Sequence, residues 1–492
     1  MKRITTFAIA ALVGVALAGC ATVPTAEEEF QAAQSALSLH IQTLSGEDYG
    51  GREPGTEGGR KTQQYLVDAL QSYGFQPGAV DSEGEPDWRQ KVTLVRSVPD
   101  QATINFPSGR SIADADVMVR MSGSELSIKD SRITVFAPGA PAPPDGSQNG
   151  RVAVVFGDAF FSGDARSLSD AGFDAIIILF EDEAQFERAQ GFYRDGRWVL
   201  EGDADAAVMP YVLVSPAGSR VFAGGLTQSL ESMRSLATGR DNGEWQYRNP
   251  LSITASATIE RAETANVIGK LPGKVRDSGA VLLLAHWDHL GICGPEGAVD
   301  RLCNGAVDNA SGIGVMLETA RRISKEGGLD RDLYVMGTTA EELGLVGAEV
   351  FASDPPFPLP TIVAAFNMDT VAIAPRGSAA TVIGWGRTPL DKGISEVIAS
   401  IGAKLDVKEE HQQFVRRQDG WALLSRDVPA VLVSSSFGDE AAFQAFLGGP
   451  YHRPNDEWSP DMELGGATDD IFLHIALLHH FGSVTEYQPG ED

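Results

Sequence analysis

Cysteine is scarce: there are three in 492 residues. A disulfide framework is therefore excluded as the scaffold, and a thiolate zinc cluster has too few ligands. Basic charge is also short. Lys and Arg number 39 against 67 Asp and Glu, which leaves a formal net charge of −28. That excess argues against nucleic acid or an anionic membrane surface as a partner. The apolar run Phe7 to Ala18 is too short to cross a bilayer. Only eight histidines occur, and none lies between Pro99 and Pro250, so that stretch is a poor place for a His-based metal site. What is present is globular: 43% hydrophobic and 22% charged residues, at a length that suits two domains.

Met1 to Gly19 has the layout of a signal peptide, with Lys2 and Arg3 ahead of the apolar run. Its end, Leu17-Ala18-Gly19-Cys20, resembles the lipobox of bacterial lipoproteins. The resemblance implies an exported chain held to the membrane by lipid on Cys20. Ala21, where an aspartate would signal inner-membrane retention, points to the outer membrane in a Gram-negative host. The other reading is an ordinary cleaved signal with an incidental Cys20.

Residues 20–29 read as a polar tether, with a helix from about Phe30. A Gly-rich turn, GREPGTEGG (Gly51 to Gly59), precedes an amphipathic helix over Lys61–Tyr73 that Gly74 ends. From Pro99 the texture changes to short strands between Gly-, Pro- and Asp-rich turns, including the breaker run Pro138 to Gly150. Residues 99–250 are expected to be a smaller inserted domain, α/β or β-rich. Residues 30–98 and 251–492 are expected to form the main domain. From Thr264 strands and helices alternate regularly, which predicts an α/β fold with a mixed, largely parallel sheet covered on both faces.

Polar residues collect where strands end and helices begin, the place where open α/β sheets bind ligands. His286 and Asp288 follow the strand Val281–Ala285, and Asp308 precedes a helix opened by Ser311. Glu341 and Glu342 come after Leu333–Gly337, and a helix follows them. Asp369 follows Ile362–Phe366, and His452 sits in a turn before the last helix, Ile471–Phe481. Imidazole and carboxylate suit zinc. Two His and three carboxylates are too many for one tetrahedral ion, and right for two ions that share a carboxylate. Such a pair activates water and stabilises a tetrahedral intermediate. One of the adjacent glutamates can ligate while the other moves the proton. Asp288, two residues from His286, can hold the imidazole tautomer. His289 is either a part of the pocket or a structural residue. Trp287 points to the other sheet face, into the core. Cys293 and Cys303 lie between His286 and Asp308, as a disulfide closing that loop or as two buried thiols.

The pattern AHWDH…GAVDNASG…TTAEELGLVGAE…NMD…YHRPND resembles the co-catalytic di-zinc aminopeptidases of metallopeptidase family twenty-eight. That family also holds glutamate carboxypeptidase II, glutaminyl cyclases and the catalytically silent transferrin receptor. The resemblance covers Thr264 to the C-terminus closely and Phe30 to Val95 loosely. It implies two zinc ions: Asp308 bridges, His286 and Asp369 complete one site, and Glu342 and His452 the other. Glu341 is then the general base for a zinc-bound hydroxide that releases N-terminal residues from peptides. Asp288 orients His286. The inserted stretch resembles a protease-associated domain in place and texture. The same scaffold leaves open a glutaminyl cyclase, a dipeptide carboxypeptidase or a non-catalytic receptor-like protein. Arg417-Gln418-Asp419-Gly420 departs from the family pattern, with Gly420 where a histidine is expected. This bears on specificity rather than on the metals. The preferred N-terminal residue, the role of the insertion and the oligomeric state are not set by the sequence.

Overall fold

The computed structural model describes residues 24–204 and 209–490. The signal-peptide and Cys20 readings lie outside the described residues. Helix α1 (Ala26–Leu44) begins inside the stretch expected to be a tether. The reason is a capping box. The Thr25 hydroxyl accepts from the Glu28 N–H at 3.2 Å, and the Glu28 carboxylate accepts from the Thr25 N–H at 2.7 Å. Two orphan donors are thereby satisfied. Helix α2 (Glu57–Ser72) starts four residues earlier than its apolar pattern suggests, because the Thr56 side chain accepts from the Gly59 N–H.

One sheet carries the architecture. Its main strands are β1 (Arg89–Asn105), β2 (Val117–Arg120), β3 (Glu125–Phe136), β4 (Arg151–Phe156), β5 (Ala175–Leu179), β6 (Tyr211–Val214), β7 (Glu244–Leu271), β8 (Ala280–His286), β9 (Asp332–Thr338), β10 (Ile362–Asn367), β11 (Thr381–Ile383) and β12 (Ala430–Ser434). Their order is β11-β12-β10-β8-β9-β7-β3-β4-β5-β6-β2, with β1 paired alongside β7. Strands β8, β9, β10 and β12 run parallel. Strand β7 is antiparallel to β9, and β11 to β12. The expected mixed, mostly parallel sheet flanked by helices is present.

Alternation of side chains explains why β8 is an unbroken apolar run buried at every position. Val281, Leu283 and Ala285 pack with Leu37 of α1, with Ile313 and Met316 of α3 (Gly312–Lys325), and with Ile471 of the last helix. Leu282 and Leu284 face the other way, onto Ala348 and Phe351 of α4 (Val346–Ser353). Helix α5 (Asp391–Ser400) adds Ile394 to the first layer. The last helix, α6 (Gly465–Phe481), starts six residues before its expected onset. Trp287 is fully buried, and its indole N–H donates to the Ala265 carbonyl at 3.1 Å. A buried Trp needs such a partner.

The stretch between β1 and β7 has apolar clusters of its own. One gathers Ile104, Val119, Ile133, Val154 and Ile177; the other holds Ala153, Ile178 and Phe180 on the opposite face. Neither of the expected boundaries, 98/99 and 250/251, is a linker: β1 and β7 run through them as continuous strands. These strands pair antiparallel from Arg89↔Val267 to Asn105↔Ser252, with a register shift between Ala255 and Ala257. Pro99 lies opposite Ala257. A proline cannot donate to the ladder, so an irregularity there costs the sheet least.

Candidate metal centre

Parallel strands bring their carboxyl ends to one edge of the sheet. His286 closes β8, in register with Thr338 of β9. Asp369 follows β10. Asp308 lies in the turn Ala306–Ser311 that leads into α3, and its peptide bond to Asn309 is cis. Glu341 and Glu342 sit in a turn between β9 and α4, the helix expected after them, bounded by Ala340 (φ 55°) and Leu345 (φ 61°). Left-handed backbone at residues other than glycine recurs here, at Arg52 (φ 52°), Thr370 (φ 57°) and His452 (φ 57°). Such strain gathers where the surrounding packing fixes a site.

Every metal candidate read from the sequence meets at this edge. His286 Nε2 lies 3.3 Å from Asp308 Oδ1 and 3.4 Å from Asp369 Oδ1. His452 Nε2 lies 3.2 Å from Asp308 Oδ2 and 3.1 Å from Glu342 Oε2. The two oxygens of Asp308 are thus divided between two imidazoles. Zinc–ligand bonds of about 2.0–2.1 Å set the edges of a tetrahedron at roughly 3.3 Å, which is the spacing found. The donor set fits two such ions, one in His286/Asp308/Asp369 and one in Asp308/Glu342/His452.

Charge makes the same demand. Asp288, Asp308, Asp419 and Asp456 are buried around the centre, and the buried guanidinium of Arg52 lies nearby. Burial works to lower the His286 pKa, yet Glu341 and the hydrogen bonds to Asp308 and Asp369 hold it well above the ordinary value. His452 is raised to about 10 against its burial by Asp308 and Glu342. Burial pushes Glu341 well up, with the charges of Asp369, Asp419 and Glu342 adding to it and His286 opposing. A buried cluster so rich in carboxylate needs cations to stay ionised.

The supporting contacts differ in part from expectation. His286 Nδ1 faces the main-chain oxygen of Asp288 at 3.2 Å, whereas the Asp288 carboxylate is 3.9 Å away. The turn after the strand brings the carbonyl round first. The carboxylate accepts instead from the Glu341 N–H at 3.1 Å, and so positions the glutamate turn. His289 belongs to the site: its Nδ1 is 2.6 Å from Glu342 Oε1. That is hydrogen-bond range, shorter than the edge of a zinc tetrahedron. His289 therefore holds Glu342 while His452 shares its other oxygen. His40, His411 and His474 bond Tyr65, Glu440 and the Asp470 carbonyl, and serve packing.

Three further residues were not assigned from the sequence. Asp456 accepts from the N–H groups of Val307 and Asp308 at 2.9 and 3.0 Å, and so fixes the shared carboxylate from behind. Arg52 is fully buried. Its guanidinium donates to the carbonyls of Trp287 (2.9 Å), Leu44 (3.0 Å), Asn304 (2.6 Å), Gly305 (2.8 Å) and Asp308 (3.4 Å). It ties the His286 segment to the Asp308 segment. Tyr451 stacks on His452 at 3.8 Å between centroids, and burial raises the pKa of its phenol. It is a permanent hydrogen-bond donor at neutral pH.

A cavity opens beside the cluster. His286, Asp308, Glu341 and Asp369 line one wall; Ile383, Phe414, Leu432, Phe437, Phe443 and Leu447 line the rest with Arg417 and Tyr451 at its margin. Cys293 and Cys303 form a disulfide with Cα atoms 5.7 Å apart. It closes the loop that leads to Asp308, and Cys293 Sγ lies 3.6 Å from the His452 carbonyl oxygen. Gly51 has positive φ, and a side chain there would meet the Cys303 carbonyl at 2.5 Å, so the turn that carries Arg52 can sit this close only as glycine.

Residues 266–476 match the family model described as Peptidase family M28. Every proposed ligand lies in that segment. No curated protein matches the chain. Among solved structures, an aminopeptidase from Aneurinibacillus sp. strain AM-1 aligns with TM-score 0.52 and 18% identity, over 90% of this chain and 93% of that one. BSAP, a zinc aminopeptidase from Bacillus subtilis, aligns with TM-score 0.50 and 16% identity, over 92% of this chain and 96% of that one. At these identities the likeness is one of fold.

Proposed function

We propose that this chain is a zinc-dependent aminopeptidase that releases apolar N-terminal residues from peptides. The observation that carries the reading is the division of the Asp308 oxygens between His286 and His452 at tetrahedral spacing, with Glu341 left free beside them. His286, Asp308 and Asp369 would hold one zinc ion, and Asp308, Glu342 and His452 the second. When bound, the ions polarise the scissile carbonyl and acidify water. Glu341 takes the proton from the attacking water and passes it to the leaving amine. Tyr451 lines the same cavity, and its hydroxyl can serve as a donor for the developing oxyanion. The apolar wall from Ile383 to Leu447 receives the N-terminal side chain.

Residues 99–250 are read as a protease-associated-like domain, and the mature chain as exported and lipid-anchored at Cys20. The first rests on separate apolar clusters, the second on the lipobox-like sequence. The enzyme assignment is tested with zinc-loaded protein on amino-acyl anilides and on peptides with N-terminal glutamine. Leucyl or phenylalanyl anilide should be cleaved, and Glu341→Gln should lower kcat by roughly 10²–10⁴ while both ions remain bound. Cyclisation of the glutamine peptides without anilide cleavage, or full activity in Glu341→Gln, would overturn the reading.

A further inference from the structure

The cavity beside the metal centre has an arginine in its wall. Arg417 follows the short helical segment Glu409–Arg416, and its N–H donates to the Phe414 carbonyl at 2.9 Å. Gln418 next to it is buried and locked: its side-chain oxygen accepts from Asn367 Nδ2 at 2.9 Å and from the Gly420 N–H at 2.8 Å, and its Nε2 donates to the Val415 carbonyl. The segment that presents Arg417 is therefore fixed.

The guanidinium itself has no acidic partner. Arg96, Arg234, Arg261, Arg321, Arg322 and Arg426 all pair with glutamates. Among the described residues Arg417 makes no ion pair, and its guanidinium lies 5.5 Å from the centroid of the Phe414 ring. The adjacent Arg416 is turned onto Trp421 instead. Arg417 lines the same cavity as Tyr451, the neighbour of His452. The carboxyl groups of the cavity, on Asp308, Glu341 and Asp369, all lie beside the metal centre.

We propose that Arg417 receives a carboxylate of the substrate. A planar guanidinium matches a carboxylate through two parallel hydrogen bonds. The apolar walls are matched to the N-terminal side chain, so the carboxylate belongs beyond the scissile bond. It is the C-terminal α-carboxylate of a short peptide, and the favoured substrates are dipeptides and other short free-acid peptides. This rests on the aminopeptidase reading and deepens it.

The test compares kcat/KM of zinc-loaded enzyme on Leu-Leu and on Leu-Leu-amide, with Glu-Leu-amide and Gln-Leu-amide as a second pair. The wild type should prefer the free acid by about 10- to 100-fold, the range of one charge-assisted pair. Arg417→Gln should bring that ratio to about one, chiefly through KM, and Arg417→Lys should keep part of it. Equal rates on acid and amide in the wild type, or a preference that survives in Arg417→Gln, overturn the proposal while the aminopeptidase reading stands. A preference for Glu-Leu-amide over Gln-Leu-amide that disappears in Arg417→Gln overturns the placement beyond the scissile bond. Cleavage of none of the four substrates would instead bring down the aminopeptidase reading itself.

Discussion

Replacing Arg52 by methionine keeps much of the volume and removes every donor. The carbonyls of Trp287, Leu44, Asn304 and Gly305, each within 3.0 Å of the guanidinium, then lose a partner inside the protein. Each orphaned buried acceptor costs about 1–3 kcal/mol. The plain sum overstates the loss, because carbonyls rotate and the burial of a guanidinium is itself relieved. Substitutions that break a buried charged network cost about 3–5 kcal/mol, and we expect Arg52→Met to fall in that range. Burial lowers the Arg52 pKa to about 10 against the pull of Asp456 and Asp308, so the residue is charged throughout the neutral range. Its loss also removes a positive charge facing those carboxylates. The assay is denaturant unfolding followed by tryptophan fluorescence, with zinc affinity by calorimetry on the folded variant. Arg52→Lys should recover only a fraction, since one ammonium cannot reach four carbonyls on three segments. An unchanged unfolding midpoint together with unchanged zinc affinity in Arg52→Met would refute the view that Arg52 holds the two ligand segments together.

Asp308→Asn should weaken both ions together, by more than the roughly 10- to 100-fold typical of supporting residues; zinc titration that still shows two sites of wild-type affinity would remove Asp308 from the shared position. Cys303→Ser opens a loop with sequence separation 10, and by chain entropy should cost ~3 kcal/mol in denaturant unfolding; a change below 1 kcal/mol would show the loop is held by its other contacts. Asp470 is buried and its pKa is raised to about 7, with hydrogen bonds from Ser434 and Ser435 opposing the shift. Its folded form keeps a proton that the unfolded chain releases near pH 4, so it makes the protein lose stability as pH rises from about 4 to about 7. The loss is at most about 4 kcal/mol at 1.36 kcal/mol per unit. Asp470→Asn should therefore gain on the wild type across that window, and parallel stability–pH curves would contradict the assignment.

The metal ligands were legible because they obey position: each follows a strand end or precedes a helix, and parallel strands bring those points together. Their supports were not. Arg52 and the Asp288 main chain act through carbonyl groups, which leave no residue pattern. Asp456 acts on two N–H groups, so nothing in its own neighbourhood marks it. Thr25 and Glu28 did carry a readable capping signal, masked by the polar composition around them. The long strands were read only in part. Val92–Val95 is a fragment of β1 and Asn266–Gly269 of β7, since along the ribbon between them many residues are solvated and hydrophobic alternation fades.

The ribbon formed by β1 and β7 also sets how this chain can change in length. Along its paired residues a lost or gained residue turns every later side chain to the opposite face. Gene-level insertions and deletions there are acceptable only in twos, and only when both strands change together. A bulge such as the one between Ala255 and Ala257 is the single exception that the ladder has absorbed. Length variation among descendants of this chain should therefore collect in turns such as Pro138 to Gly150, where no register is at stake.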